Sequence, residues 1–412
     1  MKYVIIGNSA AGIGCAEGIR RVDTAGEILI LSDEKYHTYS RPLISYLLEG
    51  KTDLQRMKYR PDDFYEKNHI TFRPETTVTA IDADKKAVTT DKGEQISYDK
   101  LLYAAGSSPF IPPTEGYDSV KESFTFMKLD DALALKEALT PESRVLIVGA
   151  GLIGLKCAEG IHGLCKEITV ADLADRVLSS ILDADTAPVI QKKLEENGIR
   201  FLLNDCVTRY EDNTAYMKSG ETVPFDVLVT CVGVRPNVQL LKDAGAAVGR
   251  GIHIDTASKT SLPDVYAAGD CTECVDISSG DTKILALLPN AYKQGEIAGM
   301  NMAGAEKTFE DSIPMNAIGF FGLHMITAGT YTGEVIDKSQ GENVKKLYCK
   351  DNLLKGYIMI GDVDKAGIYT SLIRDRVALD SIDFALVSET PGLMAFSKKY
   401  RDETLGGLRR GY

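Results

Sequence analysis

The chain has 412 residues, of which 44% are hydrophobic and 26% charged, and its formal net charge is −12 at pH 7. This length exceeds that of one ordinary domain, about 150 residues, and the composition is that of a folded globular protein. The acidic balance argues against nucleic acid and anionic membranes as partners. Eight dispersed cysteines do not form a secreted disulfide framework, and no export signal or membrane segment is evident, so we expect a cytoplasmic protein.

The chain begins with KYVIIGNSAAGIGCAEGIRR, followed by EILILSD. Short apolar runs on either side of a helical segment are typical of a βαβ unit with buried parallel strands. We predict a strand over 3–6, a helix over 10–21 and a strand over 28–31.

Three residues of the first turn, Gly7, Ser9 and Gly12, occupy the positions of the G-x-G-x-x-G dinucleotide fingerprint, with serine in the middle. Such turns also join strands to helices where no ligand binds. Asp33 follows twenty-one residues after Gly12, where a carboxylate would accept hydrogen bonds from a ribose, and Glu34 is the alternative.

The same pattern recurs in RVLIVGAGLIGLKCAEGIHGL and EITVAD. Here the fingerprint is complete, with Gly149, Gly151 and Gly154, and Asp172 follows eighteen residues later. Two such units predict two dinucleotides. The elements we predict are a strand over 145–148, a helix over 152–163 and a strand over 168–170.

A third motif, TSLPDVYAAGD, couples a strand over 265–268 to a turn that ends in Asp270. A carboxylate at the carboxyl end of a strand suits a sugar-alcohol chain. Further on, Pro289 is expected at the first position of a helix, whose N-terminus would stabilise negative charge on an electron-rich ring.

Proline and glycine clusters indicate two crossings between domains, one near residues 109–116 and one near GVRPN at 233–237. After about residue 310 the pattern changes to short strands and a helix from Ala366. We therefore predict an α/β protein with two Rossmann-like dinucleotide-binding domains and a C-terminal α+β domain. Their predicted limits are 1–112 with 243–310 for the first dinucleotide-binding domain, 113–242 for the second, and 311–412 for the C-terminal domain with its basic tail.

These motifs, together with YAAGSSP, CVGVRPN and LKGYIMIGDVDKAGIYTSLIRD, resemble those of FAD-dependent pyridine nucleotide oxidoreductases. In particular, the chain resembles rubredoxin reductases and the FAD-binding portion of NADH-dependent nitrite reductase, over nearly its whole length. The sequence departs from its relatives at Lys156, where they often carry Glu, and at Tyr46, where they often carry Lys.

The resemblance implies which residues hold the two cofactors. Gly7, Ser9 and Gly12 would bind the FAD pyrophosphate, Asp33 the adenosine ribose and Asp270 the ribityl chain. For FAD it also implies Val78 at the adenine, Arg41 at the phosphates, Gly106 along the cofactor, and the helix starting at Pro289 at the flavin ring. For NADH it implies Gly149, Gly151, Gly154, Asp172 and Gly233.

Cys271 and Cys274 form C-T-E-C directly after Asp270. This spacing suits a redox dithiol, since it lowers the pKa of one thiol, but we favour a structural role, in which Cys271 is a small buried residue. No metal site is expected from the cysteines or from the five histidines. His324 lies in the uncharged stretch 312–333, which we interpret as buried strands.

The predicted function is an FAD flavoprotein that transfers electrons between NADH and a protein partner without a redox-active cysteine. Rubredoxin, another iron–sulfur protein or a partner redox subunit fits this function, and no catalytic side chain is required. The alternatives are a thiol-dependent NADH oxidase, peroxidase or coenzyme A disulfide reductase, and a flavin-containing partner protein whose turnover is incidental. The basic tail, 398–412, either docks an acidic carrier or is a solvated end. The physiological direction and the oligomeric state stay open.

Overall fold

The protein is described from a computed structural model, which covers residues 1–396, 398 and 401. It divides into two compact units. The first unit comprises Met1–Cys274 and Thr282–Glu310, and the second comprises Val275–Asp281 and the chain from Asp311. The predicted domain limits within the first unit stay predictions. Of the basic tail only 398 and 401 are described, so its predicted docking role lies outside the described residues.

The first part of the chain begins with the predicted βαβ unit, because apolar runs bury two strands and a glycine turn admits a helix between them. A short 3₁₀ helix, Arg41–Leu43, leads into α2. The elements are β1 (Lys2–Ile6), α1 (Ala10–Val22), β2 (Glu27–Leu31), α2 (Ile44–Leu48), α3 (Phe64–Lys67), β3 (Ile70–Arg73), β4 (Val78–Asp82), β5 (Ala87–Thr90), β6 (Gln95–Ser97), β7 (Lys100–Tyr103) and β8 (Ser107–Pro109).

The second part repeats this plan. Its elements are β9 (Ser123–Phe124), α4 (Leu129–Ala138), β10 (Arg144–Val148), α5 (Leu152–Ile161), β11 (Glu167–Asp172), α6 (Ala187–Glu195), β12 (Ile199–Leu203), β13 (Val207–Glu211), β14 (Thr214–Met217), β15 (Thr222–Pro224), β16 (Val227–Thr230) and β17 (Val234–Pro236). The chain then returns to the first sheet, which β19 completes, while β18, β20 and β21 form a small separate sheet. The elements are α7 (Gln239–Asp243), β18 (Ile252–His253), β19 (Val265–Ala267), β20 (Thr272–Val275), β21 (Thr282–Lys283) and α8 (Leu288–Met302).

Two five-stranded sheets organise the first unit, in the orders β19-β7-β1-β2-β3 and β12-β11-β10-β16-β9. Their neighbouring strands are parallel. Strand β1 shows why such strands read as continuous apolar runs: Ile5 packs with α1 on one face, and Val4 packs with β4–β6 on the other. The two crossings predicted from proline and glycine lie side by side, since β8 pairs antiparallel with β17.

Helices α1 and α8 pack unusually closely through four glycines. A Cβ built on Gly14 or Gly18 would clash with backbone oxygens of α8, and one on Gly295 or Gly299 would clash with backbone oxygens of α1. Each pair is spaced four residues apart, so both glycines lie on one helix face. The two helices therefore meet backbone to backbone, which fixes their N-termini at the same edge of the first sheet.

The second unit is built on an antiparallel sheet with the order β22-β23-β26-β25-β24, which confirms the strands predicted there. The uncharged stretch is only partly buried: Phe320 is the one buried residue of β22, β23 mixes buried and accessible residues, and His324 is exposed. The elements are β22 (Met315–Phe320), β23 (Leu323–Gly329), β24 (Glu334–Asp337), β25 (Val344–Lys350), β26 (Leu353–Ile360), α9 (Ala366–Arg374) and α10 (Phe384–Glu389).

Candidate dinucleotide-binding sites

A cavity of about 540 Å³ lies at the carboxyl edge of the first sheet. Its size is ordinary for a cofactor pocket, and it is placed where open parallel sheets bind their ligands. Two predicted residues, Gly12 and Pro289, are not among its lining residues. The other seven predicted for FAD line it: Gly7, Ser9, Asp33, Arg41, Val78, Gly106 and Asp270.

The first glycine turn has the backbone geometry that its residues predict. Gly7 follows β1 with φ +111°, a conformation that favours glycine. A Cβ on Gly12 would clash with the Gly7 carbonyl oxygen, so the third glycine packs the helix against the turn. Ser9 is the N-cap residue of α1, and the N-terminus of this helix opens into the cavity.

Arg41 brings a positive charge to the cavity wall and is held by several partners. It pairs with the Glu34 carboxylate and donates to the Tyr39 hydroxyl at 3.2 Å and to Ser9 Oγ at 3.4 Å. The Tyr39 hydroxyl in turn donates to Glu34 at 2.6 Å and accepts the Leu129 N–H at 3.0 Å. In this network Glu34 holds Arg41 and Tyr39. This differs from the role of ribose ligand that the sequence offered as an alternative for Glu34.

Asp33 is exposed at the end of β2 and pairs with Lys128 at 2.6 Å. Lys128 comes from the segment before α4 and also lines the cavity, together with Met127. The sequence reasoning missed these two residues, because no motif marks a segment that reaches this cavity from the second fold.

The residues between β7 and β8 form one wall of the cavity. Gly106 has φ +63°, and a Cβ there would meet nothing within 4 Å. Asn237, from the GVRPN crossing, fastens this turn: its N–H donates to the Gly106 oxygen at 2.9 Å and its amide to the Ala105 oxygen at 2.9 Å. Val78 is the buried first residue of β4 and closes the wall.

Asp270 follows β19 and lines the cavity. Burial raises the pKa of its carboxyl group, and the charge of Arg41 partly offsets that effect. The helix expected nearby is present, but it begins at Leu288, so Pro289 is its second residue rather than its first. Leu288, at this N-terminus, lines the cavity.

The second glycine turn repeats the geometry of the first. Gly149 has φ +116°, and a Cβ on Gly154 would clash with its carbonyl oxygen. Gly151 is the N-cap residue of α5, and a Cβ there would meet nothing within 4 Å. Gly233 follows β16 with φ +118°. The structure places all of these residues outside the 540 Å³ cavity, at the edge of the second sheet.

Asp172 ends β11 beside this second turn. Its carboxylate accepts the N–H groups of Ala150 at 2.6 Å and Ala174 at 2.7 Å. The carboxylate is therefore held by the backbone of the glycine turn and by the backbone that follows β11, and each oxygen has a further lone pair for a ribose hydroxyl.

The two departures from the family pattern meet in space. Lys156 lies with its ammonium 4.5 Å from the centre of the Tyr46 ring and pairs with Glu159 on the same helix. The Lys156 and Glu159 side chains are only 11% and 5% exposed. This buried ion pair lies where α2 of the first fold contacts α5 of the second.

Cys271 is fully buried, and burial raises the pKa of its thiol to about 12. Its sulfur lies 3.4 Å from the Ala268 carbonyl oxygen, and it does not line the cavity. Cys274 is partly accessible. These positions favour the structural role of Cys271 over a redox dithiol.

The residues of the first fold suit FAD. Two helix N-termini and an arginine line one cavity, an arrangement that favours an anionic pyrophosphate. Two further lining residues carry buried polar atoms, Thr38 Oγ1 and His37 Nε2, that have no hydrogen-bond partner among the described residues. The second fold offers the same glycine turn with a carboxylate, the pattern of a site for NADH.

In the part of the chain that the structure describes, no group of three or more His, Cys, Asp or Glu residues is arranged to hold a metal ion. Over the same residues, no helix is both long and apolar enough to cross a bilayer.

The fold and the two glycine turns define an oxidoreductase with two dinucleotide sites, and the known proteins agree. The family model described as pyridine nucleotide-disulphide oxidoreductase matches residues 1–295. The chain therefore belongs to this family, which confirms the predicted resemblance, the mixed α/β fold, and an enzyme that uses FAD and NAD(H).

Two relatives are 31% identical to this chain over the aligned residues. The NADH-dependent phenylglyoxylate dehydrogenase subunit epsilon of Aromatoleum evansii is 31% identical over 392 residues, 92% of each chain. The assimilatory nitrate reductase electron transfer subunit of Bacillus subtilis is 31% identical over 389 residues, but they are 91% of this chain and only 49% of that protein.

Among solved structures, the chain is similar to NADH:rubredoxin oxidoreductase from Clostridium acetobutylicum. The TM-score is 0.75 at 27% identity, and the match covers 92% of this chain and 96% of that one.

Proposed function

We propose that this protein transfers electrons between NADH and an electron-carrier protein through bound FAD, without a cysteine relay. The observation that carries the proposal is the cavity at the first sheet, where two helix N-termini, Arg41 and Asp270 converge. The names of two relatives, a dehydrogenase subunit and a rubredoxin oxidoreductase, support electron transfer from NADH to protein partners.

In this proposal the first fold binds FAD. Gly7, Ser9 and Gly12 present the N-terminus of α1 to the pyrophosphate, Arg41 neutralises its charge, and Asp33 binds the adenosine ribose. Asp270 binds the ribityl chain, and the N-terminus of α8, with Pro289, faces the flavin ring. Val78 and Gly106 line the walls that the cofactor follows.

The second fold binds NADH. Gly149, Gly151 and Gly154 let the backbone approach the pyrophosphate of NADH. Gly233 lies at the same edge of the second sheet and completes the proposed site. Asp172 accepts the ribose hydroxyls and repels a 2′-phosphate, which selects NADH over NADPH.

Bound FAD would accept a hydride from NADH and release its electrons one or two at a time. The task of this chain is to hold the two cofactors together, exclude water and stabilise the added charge. The N-terminus of α8 suits that last task, because its unpaired N–H groups favour negative charge. The partner protein sets the direction of electron flow, because the same site can oxidise NADH or reduce NAD⁺.

The thiol-dependent alternative needs a cysteine beside the flavin. When the Glu-Gly pair of thiol-using relatives is aligned on Glu49 and Gly50, their redox cysteine falls on Pro42, which carries no thiol. Cys271 is buried and its pKa is raised to about 12, so little thiolate is present at neutral pH. We therefore propose direct transfer to the partner.

The cellular setting also belongs to this proposal. No disulfide joins any of the eight cysteines, all of which lie among the described residues, and this fits the cytoplasm expected from the sequence. The predicted division into 1–112 with 243–310, 113–242 and 311–412 assigns one dinucleotide to each parallel sheet and leaves the antiparallel sheet to a separate domain.

The test uses the purified full-length chain. We expect it to bind about one FAD per chain, to lose its yellow colour anaerobically on addition of NADH, and to reduce rubredoxin or a ferredoxin in steady state. A folded preparation that cannot be reconstituted with FAD would contradict the proposal. Bleaching by NADH followed by turnover only with peroxide or a disulfide substrate would support the thiol-dependent alternative instead.

A further inference from the structure

We propose that Gln294 is a positioning residue for the flavin half of the cofactor, acting through the turn that carries Asp270. Gln294 does not line the cavity. It lies one helical turn below Ala291, which does, and its side chain is nearly fully buried at 3% exposure. This inference rests on the proposed binding of FAD at the first sheet.

The Gln294 side chain holds the turn directly. Its Oε1 accepts the Gly269 N–H at 2.8 Å and lies 3.2 Å from the Thr272 hydroxyl oxygen. The Thr272 hydroxyl also lies 2.8 Å from the Gly269 carbonyl oxygen. The Thr272 hydroxyl has one proton and can donate it to only one of these two oxygens at a time. The hydrogen bond from the Gly269 N–H to Gln294 Oε1 is formed in either case.

The position of Gly269 explains how this hydrogen bond can orient Asp270. The residue has φ +85°, and a Cβ there would lie 3.3 Å from the Ala11 Cβ and 3.5 Å from the Ala291 Cβ. The turn is therefore set between the first turns of α1 and α8, with Gln294 beneath it. Holding Gly269 fixes the direction in which Asp270 enters the cavity.

The same glutamine thus links two features proposed to act on the flavin half. One is Asp270, and the other is the N-terminus of α8, the helix to which Gln294 belongs. Without the amide oxygen, the Gly269 N–H loses a buried acceptor, and the turn is free to move relative to the helix. The adenosine and pyrophosphate are assigned to other elements, the turn after β1 and the segment after β2. The hydrogen bonds that Gln294 makes outside its own helix go to Ser258, Gly269 and Thr272 instead.

This separation provides the test. We would compare FAD and ADP binding to apoprotein of the parent, of Gln294→Met and of the control Ser258→Ala. ADP reports only the adenosine half. Ser258 donates its hydroxyl to the Gln294 backbone oxygen at 3.1 Å and is equally buried, so its variant disturbs the same helix but leaves the amide on Gly269.

We expect Gln294→Met to weaken FAD about tenfold, the effect of one buried hydrogen bond, with ADP affinity unchanged and the absorption band of bound flavin shifted. Ser258→Ala should keep parental FAD affinity and spectrum. Equal losses for FAD and ADP, or no loss, would overturn the inference. If Gln294→Met does not fold, we would use Gln294→Asn, whose side chain is one methylene shorter and leaves the amide out of reach of Gly269. We expect the same selective loss of FAD affinity from this variant. A parent that binds ADP but not FAD would instead contradict the proposed function.

Discussion

Burial of the Asp270 carboxylate disfavours its charged form. Such groups are common at ligand-binding sites. Burial raises the pKa of Asp270, so the folded apoprotein holds the carboxyl proton more tightly than the unfolded chain does. Protonated Asp270 therefore contributes to the free energy of unfolding below about pH 4, the ordinary aspartate pKa. This contribution is lost as the pH rises through the pKa of Asp270 in the folded protein.

Replacement by asparagine removes that pH-dependent loss. We expect Asp270→Asn apoprotein to melt at a higher temperature than the parent at pH 7, with the difference shrinking toward pH 4, while its FAD affinity falls. Thermal unfolding between pH 4 and 8 and an FAD titration measure both effects. Asp84→Asn, at an exposed position, controls for the lost charge. A lower melting temperature at pH 7 would contradict this account.

Asp172 permits a second prediction at the scale of one residue. Its carboxylate is fixed by the Ala150 and Ala174 N–H groups, so it is already oriented before nucleotide binds. We expect Asp172→Asn to reduce the NADH:NADPH ratio of kcat/KM at least about tenfold, because a neutral amide no longer repels a 2′-phosphate.

The control for that variant is Glu167→Gln, which removes a charge at the opposite end of the same strand. Flavin reduction by each nucleotide gives the ratio. If both variants change the ratio equally, the selectivity comes from the general field of the protein and not from Asp172.

At the scale of single elements, the contact between α1 and α8 explains why two helices far apart in sequence share one cavity. We expect Gly18→Ala to destabilise the apoprotein by about 3 kcal/mol, because the new Cβ would clash with the Glu296 backbone oxygen, which cannot move without moving the helix. FAD affinity should fall with it.

Gly367→Ala is the matched control. Gly367 is also a helical glycine, in α9, but a Cβ there would meet nothing within 4 Å. This variant should be unchanged or slightly more stable, since alanine loses less backbone entropy in a helix. Denaturant unfolding compares the two. A Gly18→Ala variant as stable as Gly367→Ala would show that the helices can separate at little cost.

Sequence reasoning succeeded where local pattern decides the structure. The βαβ units, the positive φ of Gly7 and Gly149, and the strand before Asp270 all follow from glycine and apolar runs. It could not foresee partners set by tertiary packing. Glu34 meets Arg41, and Gln294 reaches Gly269, only because distant segments meet in space.

The departure at Lys156 and Tyr46 is another such case. The sequence shows only that the usual residue types of the family are missing at both positions. In the fold, Lys156 pairs with the Glu159 carboxylate and lies against the Tyr46 ring, so a buried ion pair forms between two residues of one helix.

At the scale of the whole molecule, two parallel sheets repeat one plan, and the antiparallel β8–β17 pair joins the crossings between them. This duplication supports the proposed electron-transfer enzyme, in which one fold would bind NADH and the other FAD. The central claim is that electrons then leave for a protein acceptor with no cysteine between.

The most direct test is the Cys271→Ser, Cys274→Ser double variant, assayed for NADH-driven reduction of a one-electron acceptor after full FAD content is confirmed. The account predicts a rate within a few-fold of the parent, since direct transfer needs only proximity and a suitable flavin potential. A loss of two orders of magnitude, about 2.7 kcal/mol in barrier, with flavin reduction by NADH intact, would contradict it and identify the C-T-E-C segment as the relay.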